Sequence, residues 1–152
     1  MHFNCEPFEN LTPHTLFAIM RGRVDVFVVE QNCPYPELDD VDIFKTTQHI
    51  YTLDNMQLMS YARCYEKNDQ YSAIGRVLVN DQHRGKGIAN KLVEKAIACC
   101  TLHWPERDIV IGAQTYLLDF YRSFGFKCIG EAYLEDGIPH QDMLLTIEKL
   151  KT

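Results

Sequence analysis

Apolar positions along this chain repeat at two periods, and each change of period marks an element. From Thr12 onward, Leu16, Phe17, Ile19, Met20, Val24, Phe27 and Val28 recur at roughly helical spacing. Thr12 is placed to cap this helix, and Pro13 to stand in its first turn, where a missing N–H costs nothing. Residues 26–29 are apolar on every side, so the helix is expected to lie deep or to change conformation near Phe27. Periodicity then stops. Residues 31–45 hold Pro34, Pro36, Glu37, Asp39, Asp40 and Asp42, and read as a long loop whose acids face solvent.

Residues 49–53 read as a strand, and Asp54-Asn55 turns the chain back into a second strand over residues 58–65. A polar turn at residues 67–70 leads to a third strand, residues 73–79, so a three-stranded antiparallel meander is predicted. Helical spacing returns with Ala89, Leu92, Val93, Ala96, Ile97 and Cys100, while Lys91, Glu94 and Lys95 fall on the wet side. Past Pro105, residues 109–113 form a short buried strand, and strand, helix and strand in this order imply a parallel, right-handed crossover. Leu117, Phe120, Tyr121 and Phe124 mark a short helix over residues 116–124, which Gly125 closes. Two final strands, residues 127–134 and 143–148, flank a turn-rich connection at residues 135–140. With no repeat or linker, residues 1–152 read as one α/β domain.

Composition narrows the function classes. A net charge of −6 with scattered Lys and Arg leaves no electrostatic footprint for nucleic acid. No apolar run approaches the ~20 residues of a membrane span. The acidic balance suits an amine-bearing substrate, although solubility alone accounts for it as well. Six cysteines form no CxxC pair, and the N-terminus lacks a basic region followed by an apolar run, so reduced thiols in a cytoplasmic protein are expected. The six histidines are dispersed and no HExxH occurs, so no metal is expected; Asp39, Asp42 and His49 are too loosely spaced to suggest one.

The stretch Val79-Asn80-Asp81-Gln82-His83-Arg84-Gly85-Lys86-Gly87-Ile88-Ala89 carries the chemistry. It joins a strand directly to a helix N-terminus, where free N–H groups and the helix dipole favour an anion. Gly85 and Gly87 allow close approach to the backbone, and His83, Arg84 and Lys86 concentrate positive charge in an acidic chain. A Walker loop does not fit, because Gly87 follows Lys86 and the first glycine is absent. A dinucleotide fingerprint does not fit either, because Asn90 replaces the third glycine and a hairpin precedes the loop. By themselves the two glycines also fit a plain helix-entry turn.

Gln82, Gly85 and Gly87 spell QxxGxG, which resembles motif A of the GNAT superfamily of acetyl-CoA-dependent N-acetyltransferases. Asp81 departs from that motif, standing where a proline commonly follows the strand. Gln114, Leu117, Phe120, Tyr121, Gly125 and Phe126 resemble the family's second signature, NxxAxxLYxxxGF, with Gln for Asn and Leu for Ala. Residues 26–35, 102–105 and 135–140 resemble the ElaA-like group of that superfamily.

The resemblance implies a mixed, largely antiparallel twisted sheet of about six to seven strands with helices on both faces. It implies that N–H groups of His83, Arg84, Gly85, Lys86, Gly87, Ile88 and Ala89 hold the pyrophosphate of acetyl-CoA. Val77, Leu78 and Val79 would bond its pantetheine, with Gln114 beside it. It makes Tyr121 the general acid for the departing thiolate, although its place on the apolar stripe also fits a core tyrosine. The acceptor is an amine-bearing small molecule or peptide, for which Glu30, Gln31, Asp39, Asp42, His49 and His140 are candidates, His140 as base. Arg63 and Arg76 either anchor an acidic group of the acceptor or pair with Glu30. A homodimer is compatible with a domain of this size. A CoA-binding sensor without turnover and an acyl-homoserine-lactone-type synthase are the alternative functions.

Overall fold

A computed structural model describes residues 1–147. The extended segments pair into one seven-stranded sheet in the order β1-β2-β3-β4-β5-β7-β6. The strands are β1 (Asn4–Pro7), β2 (Gln48–Asp54), β3 (Gln57–Glu66), β4 (Tyr71–Val79), β5 (Asp108–Gln114), β6 (Lys127–Glu135) and β7 (Ile138–Leu145). Only β4 and β5 run parallel, across the crossover helix α2 (Ile88–His103). The meander β2-β3-β4 is antiparallel, as its two tight turns require.

The central strands β2, β3 and β4 contribute to two cores. Ile50, Ala62, Cys64 and Ile74 face α2, where Leu92, Val93, Ala96 and Cys100 cover them. Tyr51, Leu58, Tyr61 and Leu78 point the other way, against Ile19, Val26 and Phe27. Helices therefore lie on both faces. Full burial of each large apolar side chain contributes about 1.5–3 kcal/mol, so the α2 stripe alone holds that helix to the sheet.

The first helix, α1 (Pro13–Arg23), starts as the sequence requires: the Thr12 hydroxyl accepts from the Thr15 N–H at 3.2 Å. Over Val24–Glu30 the winding loosens to a π-helix, with Gln31 N–H bonding the Val26 carbonyl and Cys33 N–H the Val28 carbonyl. The expected change near Phe27 is this loosening. The buried face of α1 differs from its apolar stripe, because Phe17 is 67% exposed while Arg23 is completely buried. Arg23 goes inside because buried carboxylates meet it there.

Three elements depart from expectation. The edge strand β1 is too short to show a period. The strand expected at residues 143–148 begins at Ile138, because Asp136 and Gly137, at φ +49° and +79°, complete a tight hairpin turn. Glu148 lies outside the described residues. The short helix expected over residues 116–124 is a 3₁₀ turn, Thr115–Leu117, followed by α3, Leu118–Arg122.

Gly22 sets the approach of α1 to β3. A Cβ there falls 2.6 Å from Leu58 Cδ2 and 2.7 Å from Leu58 Cβ, and Leu58 is only 4% exposed. Gly22→Ala gains about 1 kcal/mol of helix propensity but incurs about 1–3 kcal/mol of overpacking. The expected outcome is a net loss of about 1 kcal/mol, read as a lower urea midpoint at unchanged slope.

Candidate active site

The loop after β4 is held from below. The Asn80 N–H bonds the Met59 carbonyl, and its side-chain amide the Leu58 carbonyl, both at 2.9 Å. His83 braces the turn: its N–H bonds the Asn80 carbonyl, and its ring lies 2.5 Å from Asn80 Oδ1 and 3.3 Å from Asp54 Oδ2. Because that N–H is already used, the row of free donors starts at Arg84 rather than at His83. Gly85 and Gly87 sit at φ +78° and +76°, the left-handed region that side chains resist. A Cβ on either meets nothing within 4 Å, and no side chain caps the α2 N-terminus. Lys86 is exposed, Ile88 is buried beneath the loop and Ala89 is half-buried. An open, uncapped helix start of this kind fits an anionic ligand.

Beside the loop, β4 parts from β5. The two strands pair only through Tyr71–Asp108, Ser72–Ile109 and Ala73–Val110. Beyond Ala73 no strand among the described residues pairs with the β5-facing edge of β4, an edge that runs past Val77 and Leu78 to Val79, whose carbonyl accepts from Arg84 Nε at 2.9 Å. The cause is a bulge: Ala62 of β3 stands opposite both Arg76 and Val77, because Tyr61 pairs with Leu78 and Arg63 with Gly75. Arg76 adopts φ +53°, unusual for a residue with a side chain. Its Nε donates to Glu37 Oε2 at 2.9 Å and its NH2 group to the Glu37 carbonyl at 3.1 Å.

Glu37 belongs to a buried network. It accepts from Arg23 Nε at 2.7 Å, while Arg23 also donates to Asp42 at 2.6 Å. Arg63 donates to Asp39 at 2.6 Å and to Asp42 at 2.9 Å. The Tyr35 hydroxyl donates to the remaining Glu37 oxygen. Burial opposes ionisation of Asp42, but Arg23 outweighs it and holds the carboxyl below its usual range; Arg63 does the same for Asp39.

Tyr121, on α3, is 4% exposed and packed edge-on by Phe120 and Phe126 at 5.1 and 6.0 Å. Its hydroxyl forms no hydrogen bond among the described residues. Burial pushes the phenol pKa up, so it stays protonated. Tyr116, on the 3₁₀ turn before α3, is a charge neighbour of both Tyr121 and Arg84. Across the β5–β7 ladder, His140 stands opposite Gln114. His140 Nδ1 lies 2.7 Å from the Ile138 carbonyl, which can only accept, so the neutral ring carries its proton on Nδ1 and turns Nε2 toward Glu135 Oε2 at 3.6 Å. Gln114 donates to Gln31 at 3.4 Å, and the Cys33 thiol contacts the Asp136 carbonyl at 3.4 Å. These contacts join the end of the π-helix to β5 and to the β6–β7 hairpin.

Residues 26–147 match the acetyltransferase (GNAT) domain. The chain belongs to the GNAT acetyltransferase family. It is ElaA-like within that family: Protein ElaA of Escherichia coli is 42% identical over 135 residues, 88% of each chain. The crystal structure of Escherichia coli ElaA superposes at a TM-score of 0.89, with 39% identity over 95% of this chain and 99% of that one. An acyl-CoA N-acyltransferase from Pseudomonas aeruginosa superposes at 0.91, with 34% identity and the same coverages. The acyl-homoserine lactone synthase BjaI superposes at 0.75 with 16% identity, a likeness of fold alone.

Several residues sit differently from where the sequence placed them. Glu30 and Arg84, expected on acceptor and cofactor, clasp each other through two hydrogen bonds of 2.8 and 3.0 Å. Arg63 and Arg76 therefore pair with Asp39, Asp42 and Glu37 rather than with Glu30. Glu37 and Asp42 are 4% and 3% exposed, so the acidic loop is solvated only in part. His49 is fully buried, with its ring nitrogens 2.6 Å from the Tyr61 hydroxyl and 2.9 Å from the Asp42 carbonyl; it does not face an acceptor. Burial keeps it neutral. Tyr116, Glu37 and Tyr35 were missed. Only the position of Tyr116 between Gln114 and Tyr121 gave a hint.

The network makes stability acid-sensitive. Asp42 ionises more readily folded than unfolded, so its contribution is fully present above the unfolded aspartate value, about 3.9, and is lost as pH falls through the depressed folded value. Asp42→Asn leaves Arg23 and Arg63 partly uncompensated and is expected to cost about 3 kcal/mol at neutral pH. Denaturant midpoints measured from pH 7 to pH 2 should also show a shallower acid limb in this variant than in the wild type.

Proposed function

We propose that the protein is an acetyl-CoA-dependent N-acetyltransferase acting on a primary amine of a small molecule or peptide. The observation that supports this best is the parting of β4 from β5 beside an open glycine loop at an uncapped helix start. N–H groups from Arg84 to Ala89 would hold the pyrophosphate, and the free edge at Val77, Leu78 and Val79 would hold the pantetheine and polarise the thioester carbonyl. Arg84 acts mainly as a brace, since Glu30 and the Val79 carbonyl already occupy its guanidinium.

The chemistry follows from two proton positions. His140 Nε2 takes the proton from the amine as its nitrogen bonds to the acetyl carbon. Tyr121 gives its proton to sulfur as the carbon–sulfur bond breaks. The raised phenol pKa keeps that proton in place near neutral pH. Gln31 and Gln114 flank the same end of β5 and would orient the acceptor. Among the described residues no helix is long and apolar enough to cross a membrane. We place the protein in the cytoplasm, where its thiols stay mostly reduced.

Turnover is tested by following free thiol from acetyl-CoA against a panel of amines. Tyr121→Phe is expected to lower kcat by about 10²-fold or more while leaving acetyl-CoA affinity unchanged; an unchanged rate removes Tyr121 from the mechanism. Gly87→Val forces a branched side chain to φ +76° and into the cradle, and is expected to abolish acetyl-CoA binding in calorimetry. Retained binding would count against the loop assignment. Binding without thiol release from any amine would favour a sensor.

A further inference from the structure

On the sheet face opposite the buried arginines, β1 and α2 bound an apolar groove of about 190 Å³, whose lining includes Phe3, Cys5, Ile50, Lys95 and Cys99. In it the sulfurs of Cys5 and Cys99, ninety-four positions apart in sequence, lie 3.5 Å from each other. Cys5 is exposed on the edge strand, and Cys99 is buried on α2 at the groove floor. Cys64 also comes close enough to Cys99 and Cys100 to share hydrogen bonds with them, but all three thiols are buried, and only Cys5 brings solvent access to the group. Cys64 and Cys100 are buried, with sulfurs 3.5 and 3.9 Å from the Ala96 and Ala73 carbonyls. Cys33 faces the Asp136 carbonyl, and Cys128 is exposed beside Arg122. Cys5 and Cys99 thus combine thiol–thiol contact with an opening to solvent.

We propose that Cys5 and Cys99 are a redox-active dithiol, a modification site at which peroxide closes a disulfide between the edge strand and the crossover helix. The contact is nearly at van der Waals distance, and a disulfide needs about 2.05 Å, so rotation of the exposed Cys5 side chain supplies most of the approach. Hydrogen bonds from Cys5 first and Cys64 second favour the thiolate on Cys99 against the opposing effect of burial, with a smaller contribution from His103 one turn along the helix. The Cys99 thiolate attacks one peroxide oxygen, giving a sulfenic acid, and the other oxygen leaves as water after protonation. The Cys5 thiol then attacks the Cys99 sulfur, the sulfur–sulfur bond forms, and a second water departs. Two thiols lose two electrons in total and one peroxide gains them. The bond pins β1, otherwise held to the sheet by a four-residue ladder, against α2.

The test treats the reduced, desalted full-length protein with limiting hydrogen peroxide. Remaining thiols are then alkylated under denaturing conditions, and peptides are mapped without reduction. The expected result is one linked peptide pair carrying Cys5 and Cys99, a fall of two in the six alkylatable thiols, and a Tm higher by several degrees that dithiothreitol reverses. Cys5→Ser should abolish the link and leave a Cys99 sulfenic acid that dimedone captures, while Cys128→Ser should leave the link unchanged. The proposal is overturned if all six thiols remain alkylatable. It is equally overturned if oxidation links only Cys128 between molecules, or if the wild type accumulates sulfinic acid at Cys99 without a disulfide.

Discussion

The conformation of Arg76 governs the sheet around it. A side-chain-bearing residue at φ +53° is strained by about 1–3 kcal/mol and persists only where its surroundings hold it. Glu37 holds it, with a carboxylate oxygen and a carbonyl both accepting from the guanidinium. Glu37 is in turn fixed by Arg23, which Asp42 fixes, and Arg63 ties Asp42 to Asp39. Three arginines and three carboxylates share one small volume, so their charges cancel locally. A network of this kind contributes little net stability over an apolar alternative, yet removing one member leaves an unpaired buried charge. Its effect is positional: it fixes the bulge and, with it, the open edge of β4.

The bulge has a second consequence. One extra residue reverses the alternation of β4, so Ile74 faces the α2 core whereas Leu78 faces the α1 core. Without it Leu78 and Ile74 would share a face. The same irregularity thus separates β4 from β5 and redistributes apolar side chains between the cores. The loop that follows needs no network of its own, because Asn80 and His83 anchor it to the β2–β3 hairpin. The bulge and the glycine loop lie at the same end of β4, and both depend on long-range polar contacts.

The family and the glycine loop were legible in the chain because they rest on local rules. Gly85 and Gly87 are required wherever the backbone must take positive φ before a helix, and the 3.6-residue stripe from Leu92 to Cys100 has only one use beside a sheet. Thr12 and Pro13 marked the start of α1 for the same reason. The buried arginine–carboxylate network was not legible. Acids in a proline-containing loop look solvated until an arginine from elsewhere turns inward. Nothing local in Glu37 or Asp42 announces Arg23, fourteen and nineteen residues earlier in the chain.

What the sequence determined by itself was therefore the order of the main elements from α1 onward, the crossover helix and the glycine loop, each governed by interactions spanning a few residues. Tertiary structure alone decided the burial of His49, the pairing of Glu30 with Arg84, the bulge at Arg76 and the meeting of Cys5 with Cys99. The physical reason is common to all four. The cost of burying a charge, straining a backbone or crowding two thiols is set by what stands across the sheet. Those neighbours are separated in sequence by between 7 and 94 positions.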